Sequence, residues 1–144
     1  MNKQINLSFF SDELKEVKTH KKEFLEQIER IMPWGELEEL VRPCYYEGKR
    51  GNKPYDLELM LRIHLLQNLY NLSDEGTRNE VIDSRAFSDF CGVESSNQIP
   101  DGDTIGRFRN LLINNHIHEQ FFALVVKTLA DRGLILKKLS LIHI

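Results

Sequence analysis

Residues 103–114, "DTIGRFRNLLIN", combine arginine and asparagine at a spacing that suits contact with nucleic-acid bases. A helix advances by about 100° per residue, which places the apolar residues of this segment on one side: Ile105, Phe108 and Leu112. The opposite side holds Asp103, Arg107, Asn110 and Asn114. Arginine and asparagine carry planar donor and acceptor groups that match the major-groove edges of guanine and adenine. Arg107 and Asn110 are therefore candidate base contacts, and a solvated helix face without a ligand is the alternative.

The other basic residues divide into two kinds. Arg109 lies within about 40° of the apolar side of the same helix, so we expect its guanidinium to pair with a carboxylate of a neighbouring helix. Residues 42–54, "RPCYYEGKRGNKP", are rich in proline and glycine, which predicts a loop able to follow a phosphate backbone. The candidate phosphate contacts are the basic side chains of this loop and one further arginine: Lys49, Arg50, Lys53 and Arg78.

Residue groups that would indicate an enzyme have simpler explanations. Asp101 and Asp103 resemble a metal-binding pair, yet carboxylates at a helix start are typical capping groups. His116 and His118 would point in different directions on a helix, where metal ligands need a separation of three or four residues. His64 falls in a strongly apolar helix and is expected to be a hydrogen-bonded core histidine. No nucleophile elbow, P-loop or dinucleotide fingerprint occurs, so we expect no catalytic residue, metal or cofactor in this chain.

The apolar periodicity of the first half predicts three helices. Residues 11–32 form a charged helix with a narrow apolar stripe, which Pro33 ends. A short helix is expected at residues 36–41. Residues 54–72 begin with proline and are apolar around most of the circumference, which places this third helix at the centre of the bundle.

The second half predicts four more helices and completes an all-α fold, a compact multi-helix bundle. Ser73 and Ser84 are expected to cap two of them, and Gly92 to end the second. The next helix is capped by Asp103 or Thr104. A last helix runs over residues 116–132 and stops at a left-handed glycine, Gly133. The helices at residues 73–83, 84–91 and 103–114 form a candidate helix-turn-helix-like unit.

The size and composition of the chain are those of one globular domain. Its 144 residues include 19 basic and 22 acidic side chains, a net charge of −3, so any nucleic-acid site must be local. Cys44 and Cys91 lie far apart and indicate neither a disulfide framework nor a zinc site, which fits reduced thiols and a cytoplasmic protein. Since there is no run of about 18 apolar residues, neither secretion nor a membrane span is expected.

Three separate stretches carry a family resemblance: "YDLELMLRIHLLQNLYNLSDEGTRNEVIDSRAFSDFCGV", "IPDGDTIGRFRNLL" and "LADRGLIL". In order and spacing they resemble the N-terminal region of bacterial insertion-sequence transposases, in the group of insertion sequence five. The resemblance implies that residues 24–138 form the helical N-terminal domain of a DDE transposase. Residues 1–23 are then a charged helical segment that precedes it.

The resemblance also implies what such a domain accompanies. In this family the N-terminal domain is associated with binding transposon ends and with assembly of the transposase. A separate RNase-H-like domain carries two aspartates and a glutamate, which hold two divalent metal ions during strand cleavage and transfer. Magnesium is therefore an expected cofactor of the intact transposase, and no carboxylate of this chain is assigned to the triad.

Residues 139–144, "LSLIHI", depart from the family pattern. The first aspartate of the triad is expected on a strand just beyond "RGLIL", and no acidic residue follows Asp131. We therefore expect the catalytic domain to be missing. The tail has two explanations: a natural truncation or frameshift, or translation of a transposon-end sequencing adapter, since CTGTCTCTTATACACATC encodes this hexapeptide. If the tail is an adapter artefact, it should be excluded from the fold prediction, as any fusion scar is; a natural truncation or frameshift changes the tail but not the function.

These observations lead to two functional hypotheses. The first is a domain that binds double-stranded DNA at the terminal inverted repeats and helps to assemble the transposase. The alternative is a protein-protein interaction module that dimerises, or docks on the catalytic domain, without touching DNA. A self-contained nuclease built on Asp101 and Asp103 is disfavoured, because a two-metal site needs more convergent carboxylates.

Overall fold

The computed structural model describes residues 19–45 and 55–133, and this part of the chain is helical, with no strand. Its seven α-helices confirm the all-α prediction. They are α1 His20–Ile31, α2 Trp34–Tyr45, α3 Leu57–Leu69, α4 Asp74–Asp83, α5 Arg85–Cys91, α6 Gly102–Asn114 and α7 His118–Asp131, with a 3₁₀ turn at Ser96–Gln98. The predictions for residues 1–18, 46–54 and 134–144, which include the start of the first helix and the tail, lie outside the described residues.

α3 is the central helix of the bundle, as its composition predicts. Nine of its 13 residues are buried, and it packs against α2, α4, α5 and α6. A helix that is apolar on all sides would expose apolar surface in any peripheral position, so burial on all sides stabilises this placement. Its ends differ from the prediction. Asp56 precedes the first helical residue, and Asn71 adopts a positive φ of 52°, which ends the helix before Leu72.

α2 is longer than the six residues predicted for it, and the predicted loop therefore begins later than residue 42. The helix continues through Pro43 to Tyr45. Proline removes one backbone donor and normally disfavours such an extension. Here the last turn is held by packing, because Val41 and Tyr45 are buried and the Tyr45 ring lies edge-on to Phe108 at a centroid distance of 5.6 Å. Burial of these side chains outweighs the local preference of proline.

Serine and aspartate side chains cap the helices of the second half. Ser73 accepts a hydrogen bond from the backbone of Gly76, and Ser84 accepts one from Phe87, as predicted. For α6 the predicted cap, Asp103 or Thr104, was wrong. The capping residue is Asp101, whose side chain accepts a hydrogen bond from the backbone N–H of Thr104 at 2.8 Å. The cap residue must have extended backbone angles, and Asp101 has them, whereas the residues predicted as caps already lie inside the helix.

Two residues with positive φ set the limits of α7. Gly133 has a φ of 65° and follows the helix, which confirms the predicted left-handed stop. His116 has a φ of 58° and therefore cannot begin the helix, so α7 starts at His118, two residues later than predicted. The buried residues of the helix are Phe121, Phe122, Val125 and Leu129.

Both cysteines are present as thiols. Cys91 is buried and Cys44 is half-buried. Burial raises the pKa of the Cys91 thiol to about 12. A thiol of that kind stays protonated and unreactive.

α4 and α6 approach each other closely at two glycines of α6. A Cβ atom added at Gly102 would lie 2.2 Å from Oε1 of Glu75, and one added at Gly106 would lie 2.7 Å from Oδ2 of Asp74. The two carboxylates differ, since Glu75 is exposed and Asp74 is held by hydrogen bonds to Gln67 and Arg109. A side chain at residue 106 must therefore displace a fixed group.

We expect Gly106→Ala to lower the free energy of unfolding by about 1 kcal/mol, although alanine favours helix by about the same amount in an open position. The reason is that the new methyl group displaces the Asp74 carboxylate from its hydrogen bonds. Gly102→Ala is the matched control and is expected to change stability by less than about 0.5 kcal/mol, because the Glu75 carboxylate can swing into solvent. Urea unfolding of both variants measures the difference. Equal stabilities would contradict the proposed contact at residue 106.

Candidate functional site

The outer face of α6, formed by Asp103, Arg107, Asn110 and Asn114, is exposed along its whole length. The opposite side of the helix is buried in the core through Ile105, Phe108 and Leu112. The helical wheel therefore assigned both sides of α6 correctly. Arg107 and Asn110 lie one turn apart, and Nη2 of Arg107 donates a long hydrogen bond of 3.3 Å to Oγ1 of Thr104. Oδ1 of Asn110 accepts a hydrogen bond of 3.3 Å from Nη1 of Arg109, and both Arg107 and Asn110 are exposed to solvent.

A cluster of three side chains, which we call the Asp74 cluster, joins α6 to α3 and α4. The Asp74 carboxylate accepts hydrogen bonds from Arg109 at 3.2 Å to Nε and 2.9 Å to Nη2. The amide of Gln67, on α3, donates to the same carboxylate at 2.8 Å. The hydrogen bonds from Arg109 hold the pKa of Asp74 below its ordinary value. This confirms the predicted role of Arg109 in helix packing and supplies its partner.

Two of the predicted contact residues, Arg78 and Arg107, both act electrostatically on Asp101, the cap of α6. Hydrogen bonds from Thr104 lower the pKa of Asp101, and the positive charges of Arg107 and Arg78 lower it further. Arg78 projects from α4, is half-buried, and has a buried Nε atom without a hydrogen-bond partner in the described part of the chain. The sequence suggested separate roles for the two arginines, and their common neighbourhood is visible only after α4 packs on α6.

The remaining predicted phosphate contacts, Lys49, Arg50 and Lys53, lie outside the described residues. The structure does describe both ends of their segment. The Tyr45 hydroxyl, at the end of α2, donates a hydrogen bond to the backbone carbonyl of Tyr55. The two ends of the segment are therefore joined directly.

His64 is a buried histidine in the core, as predicted. Its Nε2 atom lies 3.3 Å from Nδ1 of His118, on α7. Aromatic rings surround it, with Phe108 and Phe121 in edge-on contact. Burial lowers the pKa of His64 to about 3, and the neighbouring charges of His118 and Arg109 act in the same direction. Sequence reasoning missed the histidine partner, because a separation of 54 residues carries no local signal.

Arg62, like His64, has interaction partners that sequence reasoning did not identify. It forms salt bridges with Glu29 of α1 and Glu58 of α3. Its guanidinium also lies over the Trp34 ring at 4.3 Å from the centroid. The spacing of Glu58 and Arg62 is the i,i+4 spacing of a helical ion pair, which is the one signal that could have identified part of this group.

Within the described ranges, no three or more histidine, cysteine, aspartate or glutamate side chains converge in a way that could hold a metal ion. In those same ranges, no helix is long and apolar enough to cross a membrane.

The fold and the site define a small all-helical domain in which α6 presents one polar face that includes Arg107. The transposase domain family (DUF772) matches residues 12–111, more than half of the chain, and the protein belongs to this family. The match contains Arg78, Arg107 and Asn110 as well as the basic segment before α3. No solved structure matches the chain.

Proposed function

We propose that this domain binds double-stranded DNA at the terminal inverted repeats of an insertion sequence and helps to assemble its transposase. The parent is proposed to be a DDE transposase of the insertion-sequence-five group. The observation that carries the proposal is the exposed face of α6, where Arg107 and Asn110 project side by side from a helix whose other side is anchored in the core. These side chains suit guanine and adenine edges, and a helix fits the major groove.

The surroundings of α6 support the same function. The charge of Arg78, on α4, acts on the Asp101 cap of α6, which supports Arg78 as a phosphate contact next to that helix. Lys49, Arg50 and Lys53 add three positive charges on the segment between α2 and α3. Phosphate contacts of this kind position a protein on the duplex without specifying sequence. In this proposal the phosphate contacts supply affinity, and Arg107 with Asn110 supplies specificity.

Catalysis is proposed to belong to an RNase-H-like domain of the intact transposase. The described residues of this chain do not fit a two-metal centre, because they bring no three carboxylate, histidine or cysteine side chains together. We therefore derive no metal-dependent step from them, and magnesium is proposed only for the intact transposase.

Self-association is the second candidate function, and the net charge of −3 favours it. A protein-protein module would use the exposed helix surfaces to join two transposase chains or to dock on the catalytic domain. The two functions differ in their response to salt. Phosphate contacts release counterions, so DNA affinity falls steeply as salt rises, whereas a protein interface changes little.

We expect Arg107→Ala to weaken binding to the element's terminal repeat by about tenfold and to leave binding to a scrambled duplex nearly unchanged. The physical reason is that a base contact carries sequence information and a phosphate contact does not. Fluorescence anisotropy with both duplexes, across a salt series, measures the effect. Arg30→Ala is the matched control, because Arg30 is an exposed arginine on α1, which packs on α5.

Arg78→Ala separates the two roles in the same assay. Loss of a phosphate contact should weaken binding to both duplexes equally and reduce the salt dependence by about one counterion. A wild-type chain that binds neither duplex at low salt and forms dimers would refute the DNA-binding proposal in favour of self-association. Equal effects of Arg107→Ala and Arg30→Ala would remove α6 from the interface.

A further inference from the structure

Ile113 is an exposed apolar side chain beside the proposed DNA-contacting face. Three large hydrophobic residues are exposed in the described part of the chain, and Ile113, at 45%, is more exposed than Ile82 or Tyr55. It lies on α6, between Asn110 and Asn114. An isoleucine side chain is not stabilised by exposure to water. An exposed isoleucine next to Asn110, Asn114 and Arg107 therefore indicates an apolar contact with whatever this face binds.

The geometry of α6 places Ile113 where it would contact the opposite strand. Arg107, Asn110 and Asn114 lie within about 60° of one another on the wheel and extend over about 10 Å of the helix axis, the length of about three base pairs. Ile113 is offset from Asn110 by about 60°. A helix in the major groove meets the two strands on its two flanks, so a residue offset in this way faces the strand paired with the one that the asparagines contact.

The base preferences expected from their chemistry agree for four side chains of this surface: Asp103, Asn110, Ile113 and Asn114. Asparagine recognises adenine in the major groove, and the base paired with adenine is thymine, whose 5-methyl group is an apolar feature of that groove. A carboxylate such as that of Asp103, at the first turn of α6, repels phosphates but can accept a hydrogen bond from the amino group of cytosine. The face therefore suits base edges better than backbone, with an A·T pair at the end where Ile113 lies.

We propose that Ile113 is a specificity-determining residue that packs against the 5-methyl group of a thymine in an A·T pair contacted by Asn110 or Asn114. This inference rests on the proposed DNA-binding function. It adds a defined chemical preference to it: a methylated pyrimidine on the strand opposite the adenine. In this arrangement A·T pairs next to the guanine contacted by Arg107 are recognised by three side chains, those of Asn110, Ile113 and Asn114.

Replacement of thymine by deoxyuridine tests the proposal, because it removes the methyl group and leaves base pairing intact. The binding site of the full chain is first selected from a randomised duplex library, and each thymine of the selected site is then replaced singly. We expect one replacement to weaken binding by about threefold to fivefold, the effect of removing one methyl group from an apolar contact. Ile113→Ala should bind the thymine and deoxyuridine duplexes equally. Ile82→Ala, which removes a similarly exposed isoleucine from the last turn of α4, should retain the preference.

The outcomes separate this inference from the function on which it rests. Salt-sensitive, sequence-selective binding that no deoxyuridine replacement alters would overturn the role of Ile113 and leave the proposed function standing. An Ile113→Ala variant that keeps the thymine preference would also overturn it. If the library yields no selected sequence and the chain binds no duplex at low salt, the proposed function itself fails.

Discussion

Asp74→Ala will lower the free energy of unfolding by about 2–3 kcal/mol, the cost of removing a charged acceptor from a partly buried group of hydrogen bonds. Asp74 accepts from Arg109 twice and from Gln67 once. Without it the buried Gln67 amide keeps its hydrogen bond to the carbonyl of Leu72 but loses its charged acceptor, and the guanidinium of Arg109 loses its counter-charge. Urea unfolding followed by circular dichroism measures the loss.

Glu75→Ala is the matched control for Asp74→Ala. Glu75 is the next residue, carries the same charge in the first turn of α4 and is exposed, so its removal is expected to cost less than about 1 kcal/mol. A double-mutant cycle with Arg109→Ala isolates the ion pair. Additive effects of the two substitutions would show that Asp74 and Arg109 do not stabilise each other.

The Asp74 cluster also leads to a prediction about the stability of the domain at acidic pH. Because the pKa of Asp74 is lowered in the folded state, the stabilisation from its ionised form is complete above the ordinary carboxyl pKa of about 4 and is lost as pH falls through the folded value. Asp74→Asn, which keeps an oxygen acceptor but no charge, should flatten the stability profile in that acid range. It should leave the profile near neutral pH unchanged.

The buried His64 will make the domain lose stability at mildly acidic pH. Its pKa is about 3 in the folded protein, against an ordinary value of 6.5, so the unfolded chain binds a proton that the folded chain excludes. Stability is therefore complete above about pH 6.5 and falls by about 1.4 kcal/mol for each pH unit below it. Between about pH 6.5 and about pH 4.5 the expected loss is about 2–3 kcal/mol.

His64→Leu tests this assignment, because leucine has a similar volume and does not titrate. The variant gives up the contact with His118 but should show a much flatter dependence of unfolding free energy on pH between about pH 5 and about pH 7. His20→Leu is the control, since His20 is exposed at the start of α1, and it should keep the wild-type slope. A steep slope that survives in His64→Leu would assign the acid sensitivity to another group.

Several elements were predictable because their signals are local. The caps Ser73 and Ser84 and the glycine stops at Gly92 and Gly133 depend on a few neighbouring residues, and all four are confirmed. The predictions failed where packing overrides local preference, as in the extension of α2 through Pro43. They also failed where two adjacent polar residues compete for one role, as at the cap of α6.

The sequence by itself determined the all-α class, the central position of α3 and the two sides of α6, because each follows from the period of apolar residues along a single helix. Only the tertiary structure decided which groups meet across helices. The approach of Asp74 to Arg109, of His64 to His118, and of Arg78 to Asp101 joins residues that are distant in the chain. Such contacts depend on how the helices cross and on how closely the glycines of α6 let α4 approach, and neither quantity is encoded in any one segment.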